Sequence, residues 1–150
     1  MGDEIVGKRI EKIFPDYFNR FIMPEGAHEE RIKVYRACKN GTCDPMSFLP
    51  SYEENGYELD PLLPDDDPGQ FSLSTFEKPK DVKRWANINR EPYKIAVGFT
   101  EPKHGLVQRT RERTGTKTSH VDWWLYKDAR PYEEFEIIDD FCKYLDDYNK

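Results

Sequence analysis

The chain has no apolar run approaching the roughly 20 residues needed to cross a bilayer, so no membrane span is expected among its 150 residues. Cysteine and histidine are scarce, at three each. Structural zinc sites use a tight ligand pair near each end of the motif. Here Cys38 and Cys43 form one pair and no second pair follows, so no metal site is expected. An odd cysteine number, with no basic-then-apolar leader in Met-Gly-Asp-Glu-Ile-Val, points to a reducing, cytoplasmic setting. Three further patterns are missing: a Gly-x-Ser-x-Gly elbow, a cysteine with signature flanks, and a phosphate loop ending in Gly-Lys-Ser/Thr. Hydrolase and nucleoside-triphosphatase readings fall with them. There is no internal repeat and no low-complexity segment.

What is present is aromatic and charged. Hydrophobic residues make up only 37%, but aromatics reach 14% and charged residues 35%. A core of a few large rings follows, and wholesale disorder, which goes with few aromatics, is excluded. The net charge of −6 argues against nucleic-acid binding over the whole surface. Its distribution is uneven. Lys103, Arg109, Arg111, Arg113 and Lys117, with His104 and His120, stand against the single acid Glu112, while acids gather at residues 65–67 and towards the C-terminus. The triple aspartate reads as a solvated turn, because three consecutive carboxylates cannot all point inward.

The periodicities predict one α+β domain with a mostly antiparallel sheet of four to six strands. An N-terminal helical segment spans residues 4–22, interrupted at Pro15. A strand follows at 30–38, with Arg36 on the apolar face of Ile32 and Val34; Arg36 is expected to sit at the strand end and reach water. A proline-rich loop at 39–70 wraps over the core. Residues 71–76 form a short strand leading into a short helix that Ser74 or Thr75 would cap. Strands at 93–100 and 106–110 and a polar loop at 111–118 come next. The run His120-Val-Asp-Trp-Trp-Leu-Tyr alternates strictly, so both of its faces carry an aromatic ring and it belongs inside the sheet. Its end is a fork: residues 131–148 form one helix, or residues 132–138 form a hairpin partner of the tryptophan strand before a last helix capped by Asp139 or Asp140. Trp123, Trp85, Val97, Ile95 and Phe141 are the expected core.

Three functional readings follow. His120 and Asp122 lie two apart on one strand face, the spacing of a carboxylate-oriented imidazole and equally of a surface pair. The basic loop at 103–120 could steer an acidic protein partner, or contact RNA or single-stranded nucleic acid, through Arg109, Arg111, Arg113, Lys117 and His120, with Trp124 as a stacking ring. The leading reading is a small acidic protein that acts by protein–protein interaction, as an inhibitor, antitoxin or regulator does, with an unknown protein partner.

The alternative is an enzyme. Val34-Tyr35-Arg36-Ala37, then Phe71-Ser72-Leu73-Ser74-Thr75, then Glu134-Phe135-Glu136 resemble, in that order, the Arg–Ser–Glu class of ADP-ribosyltransferases. The resemblance implies an arginine on the phosphates or ribose of NAD, a serine strand (Ser72, Ser74) shaping the nicotinamide pocket, and a carboxylate from Glu134 or Glu136. That carboxylate holds a ribose hydroxyl as an oxocarbenium ion develops. The two glutamates share a face only if residues 132–138 are extended.

Overall fold

The computed structural model describes residues 12–89 and 93–149. Six strands form one sheet: β1 (Lys33–Cys38), β2 (Leu73–Phe76), β3 (Lys94–Phe99), β4 (Gly105–Arg109), β5 (His120–Leu125) and β6 (Glu136–Ile137). Their order is β4-β5-β2-β1-β3-β6 and every neighbouring pair is antiparallel. Four helices accompany it among the described residues: α1 (Ser51–Glu54), α2 (Pro79–Asn89), α3 (Arg111–Thr114) and α4 (Phe141–Tyr148). The architecture is α+β. No helix among the described residues is long and apolar enough to cross a membrane.

Strict alternation along β5 sends its two tryptophans to opposite faces, and both are fully buried. Trp123 joins Val121, Leu73, Val34, Ala96 and Val107 on one face, under Phe48 and Phe135. Trp124 joins Phe18, Phe21, Tyr52 and Phe71 on the other. Beyond it on that face Tyr35, Ala37, Phe76 and Ile95 meet Val82 of α2, with Trp85, Val97 and Phe141 packed half-buried at the margin. Trp123 and Ile95 are therefore core, and the other three expected core residues form its rim.

The ladders are uneven. β1 pairs with β3 over six positions, from Lys33↔Phe99 to Cys38↔Lys94, but with β2 only at Tyr35↔Phe76. The sheet therefore opens between β1 and β2 beyond that point.

Several expectations need correction. Of the N-terminal helical segment, residues 1–11 lie outside the described residues, and residues 12–22 hold one 3₁₀ turn, Asp16–Arg20, behind Pro15. The loop at 39–70 does wrap over the core. It buries Phe48 and Tyr52, but Tyr57, Leu62 and Leu63 stay outside. Ser74 and Thr75 belong to β2, so neither caps α2; the helix start is tied to β5 through Asp81, whose carboxylate accepts from the Ser119 N–H and hydroxyl at 2.9 and 2.7 Å. Residues 111–118 contain the single turn α3, closed by Gly115 with φ 75°.

The C-terminal fork resolves into neither branch. Residues 131–134 form a 3₁₀ turn behind Pro131, β6 follows, and α4 begins after Asp140, whose side chain accepts from the Lys143 N–H at 3.1 Å. β6 does not pair with the tryptophan strand, because both edges of β5 are already taken by β4 and β2. It pairs with the free edge of β3, through Ala96↔Ile137 and Val97↔Glu136. Gly98 permits this approach: a Cβ there would lie 2.5 Å from the Phe135 ring.

Truncating Trp123 leaves a large hole where the core of the first face is thickest. Trp123→Ala should lower the unfolding free energy by about 3–5 kcal/mol, measured by chemical denaturation. An unchanged denaturation midpoint would mean that Trp123 does not fill the core of this face.

Candidate functional site

Arg36 stands where β1 and β2 part. It does not snorkel to water. Only 5% of the residue is exposed, and its guanidinium is held on three sides. Nε donates to the Ser47 carbonyl at 3.0 Å, Nη1 to the Ser74 carbonyl at 3.0 Å, and Nη2 approaches the Glu54 carboxylate at 3.5 Å. The Ser74 carbonyl is a ladder acceptor that β1 would have used had the strands stayed paired. Burial pulls the Arg36 pKa down and Glu54 opposes the shift. Beside it the Ser47 hydroxyl is buried without a hydrogen-bond partner among the described residues.

One strand further on lies a buried carboxylate. Asp122 on β5 is opposite Ser74 of β2 in the ladder and is 1% exposed. Its Oδ1 accepts from the Ser72 hydroxyl at 2.6 Å; Oδ2 accepts from the Thr110 hydroxyl at 2.7 Å and from Arg113 Nη2 at 2.9 Å. A hydroxyl has one proton, and that of Thr110 goes to Asp122. The Thr110 oxygen therefore accepts from His120 Nδ1, 2.6 Å away. His120 and Asp122 share a face as their spacing required, but they communicate through Thr110. Burial lowers the His120 pKa, and Asp122 works against that shift.

The two late glutamates are elsewhere. Glu134 sits on the 3₁₀ turn and pairs with Lys103 Nζ at 2.6 Å. Glu136 is exposed on β6 opposite Val97, whereas Arg36 is opposite Ala96. Alternation then sends Glu136 and Arg36 to opposite faces of the sheet. So Arg36 reaches the Ser74 carbonyl from the Trp123 face of the sheet, and Asp122, bonded to Ser72, is the nearest buried carboxylate on the opposite, Trp124 face.

The basic loop is neutralised from within. Arg109 makes paired contacts to Glu30 at 3.1 Å and a further bond to Glu77 at 3.1 Å, which raises its pKa. Arg113 is spent on Asp122 and on Gln108, at 2.8 Å from the amide oxygen. Arg111 lies 3.7 Å from Glu77, and Lys117 is exposed. Trp124 is buried and its Nε1 donates to the Pro68 carbonyl at 3.0 Å, so it offers no free face for a base.

Sequence reasoning passed over one neighbour of Arg36 and a tyrosine that follows it closely in the chain. Glu54 reaches it from α1, and three residues on Tyr57 turns its ring outward against Tyr17 and Tyr52. Tyr57 is the one non-glycine with positive φ among the described residues, at 64°, a conformation that costs free energy and gathers at functional sites. The cue was the turn Asn55-Gly56-Tyr57 directly after a short acidic helix. Cys38 is buried and its pKa is pushed up to about 12, mainly by burial, so it is a thiol rather than a ready metal ligand. Among the described residues, no group of three or more His, Cys, Asp or Glu side chains is placed to hold a metal ion.

The chain matches no family model, no curated protein and no solved structure. The local chemistry alone must carry the functional argument.

Lysine at position 36 can supply one ammonium group but not a planar fork to three acceptors. Arg36→Lys should therefore destabilise the fold by about 2–3 kcal/mol, since at least one buried carbonyl loses its donor. Glu54→Gln, at a half-exposed contact, should change stability by less than about 1 kcal/mol. Equal denaturation midpoints for Arg36→Lys and the parent would contradict this description.

Proposed function

We propose that the protein binds NAD at the opening between β1 and β2 and cleaves its nicotinamide–ribose bond, in the manner of ADP-ribosyl transfer. One observation carries the reading. Arg36 on β1 bonds the Ser74 carbonyl on β2, and Ser72, just before β2, bonds Asp122 on β5. An arginine and a carboxylate on three neighbouring strands are thus joined through one serine segment, the arginine on one face of the sheet and the carboxylate on the other, so the dinucleotide would have to pass through the opening between them.

The roles follow from charge. The loosest contact of Arg36 is the one to Glu54, at 3.5 Å, and a phosphate oxygen is a better match for a guanidinium than a single distant carboxylate oxygen. A diphosphate would displace Glu54 from Nη2 and find the unpartnered Ser47 hydroxyl close by. The exposed ring of Tyr57 offers a stacking face for a base. When the C1′–N bond breaks, its electron pair leaves with nicotinamide and positive charge grows on the ribose. Asp122 is the carboxylate to stabilise that charge, held in position by Ser72. Its other oxygen is covered by Arg113, which is partly exposed on the turn α3. A second diphosphate oxygen would give Arg113 an alternative partner and free Asp122 for the ribose hydroxyl. A water or a side-chain nucleophile then takes the ribosyl carbon.

Action through protein–protein contact remains the second reading. What favours it is the exposed Ile88 in a groove whose cations have no partners among the described residues. The basic loop supports it less, since its arginines are already paired.

Calorimetric titration with NAD, alongside chromatography of released nicotinamide, tests the proposal. The parent should bind NAD and release nicotinamide. Asp122→Asn should keep binding while turnover falls by about a hundredfold or more. Glu54→Gln should bind NAD more tightly, because a competitor for Arg36 is gone, and its mild effect on folding keeps the test readable if the buried variants unfold. No heat and no nicotinamide at millimolar NAD would end the proposal.

A further inference from the structure

On the side of α2 away from the sheet, Lys80, Lys83, Arg84, Asn87 and Ile88 line a groove of about 530 Å³ closed by Leu145 of α4. Its floor is apolar, and Ile88 is 70% exposed. Its rim carries three cations, and among the described residues none of Lys80, Lys83 or Arg84 has an ion-pair or hydrogen-bond partner. In a chain of net charge −6, where Arg109 and Arg113 are fully engaged, three cations on one helix face keep their positive charge uncompensated among the described residues.

The complement lies on the same molecule, in residues 60–67. Leu62 is 89% exposed with Leu63 beside it, and both are flanked by Asp60, Asp65, Asp66 and Asp67. The loop is shaped in advance. Asp60 N–H donates to the Gln70 side-chain oxygen at 2.7 Å, Gln70 Nε2 donates to the Pro64 carbonyl at 2.7 Å, and Leu62 N–H donates to Asp60 Oδ1 at 2.8 Å. Pro61 and Pro64 fix two more backbone angles. An apolar tip between carboxylates, already ordered, loses little entropy on docking.

We propose that the 60–67 loop of one molecule docks in the α2–α4 groove of a second copy. Leu62 lies on Ile88 and Leu145, and Asp65 and Asp66 face Lys83 and Arg84. One loop in one groove is far smaller than the roughly 1,600 Å² of a stable interface, so the association is weak, reversible and sensitive to salt.

Sedimentation equilibrium of the purified chain at rising concentration, in about 20 mM and about 500 mM NaCl, reads this directly. The parent should self-associate below about 1 mM protein at low salt and revert to monomer at high salt. Lys83→Glu with Arg84→Glu should weaken self-association about tenfold or more, and so should Asp65→Lys with Asp66→Lys. The second pair brings the net charge closer to zero, so its loss cannot come from general repulsion. Mixing the two charge-reversed proteins should restore association, because each supplies the partner the other needs. A parent that stays monomeric at low salt would overturn the proposal. So would a groove variant that dissociates while the loop variant does not, since another segment would then occupy the groove. Failure of the mixture to associate would overturn it as well.

Discussion

A guanidinium stays in a protein interior only where its N–H groups find acceptors. Arg36 finds them in two main-chain carbonyls and one carboxylate, and much of the molecule is arranged to supply them. β2 diverges from β1 after a single paired position, so the Ser74 carbonyl is available. The proline-rich segment turns back over the sheet so that Ser47 and Glu54 reach the same side chain. That segment is held by these bonds together with the buried rings of Phe48 and Tyr52. Removing the arginine would leave buried carbonyls unpaired and unfasten the loop from the sheet.

Charge in the sequence is not charge in space. The segment richest in arginine folds against Glu30, Glu77 and Asp122 and becomes one of the better-neutralised parts of the surface. The short run of Lys80, Lys83 and Arg84 drew no attention as a patch, yet it keeps its charge, because the acids nearest in sequence turn elsewhere. Asp81, between them, is committed to Ser119. In the proposed self-association, attraction of the acidic loop therefore falls to α2 and not to the loop that the sequence made conspicuous.

Strands with a clean two-residue period could be read directly: β1, β3 and β5 stand within a few residues of where alternation put them, and the paired tryptophans marked an interior strand. β6 could not be read, since two residues carry no period and its partner was decided by which sheet edge remained open. The serine segment was visible as a short strand, but whether Ser74 capped a helix or lay in the sheet depended on where α2 began. Arg36 stood out as a charge on an apolar face; its acceptors, 11 residues away at Ser47 and 38 away at Ser74, had no local signature. Asp122 was noticed only beside His120. Its contact with Ser72 spans 50 residues and exists because β2 and β5 are neighbours, which no spacing reveals.

The central claim is that the opening between β1 and β2 is a ligand site and not merely a sealed seam. Hydrogen–deuterium exchange with and without millimolar NAD measures it most directly, peptide by peptide. A ligand that takes Arg36 from Glu54 and reaches Asp122 through the opening should slow exchange in residues 45–57, in β2 and in β5, and speed it in the turn α3 as Arg113 lets go. Identical exchange in those segments with and without NAD would contradict the account.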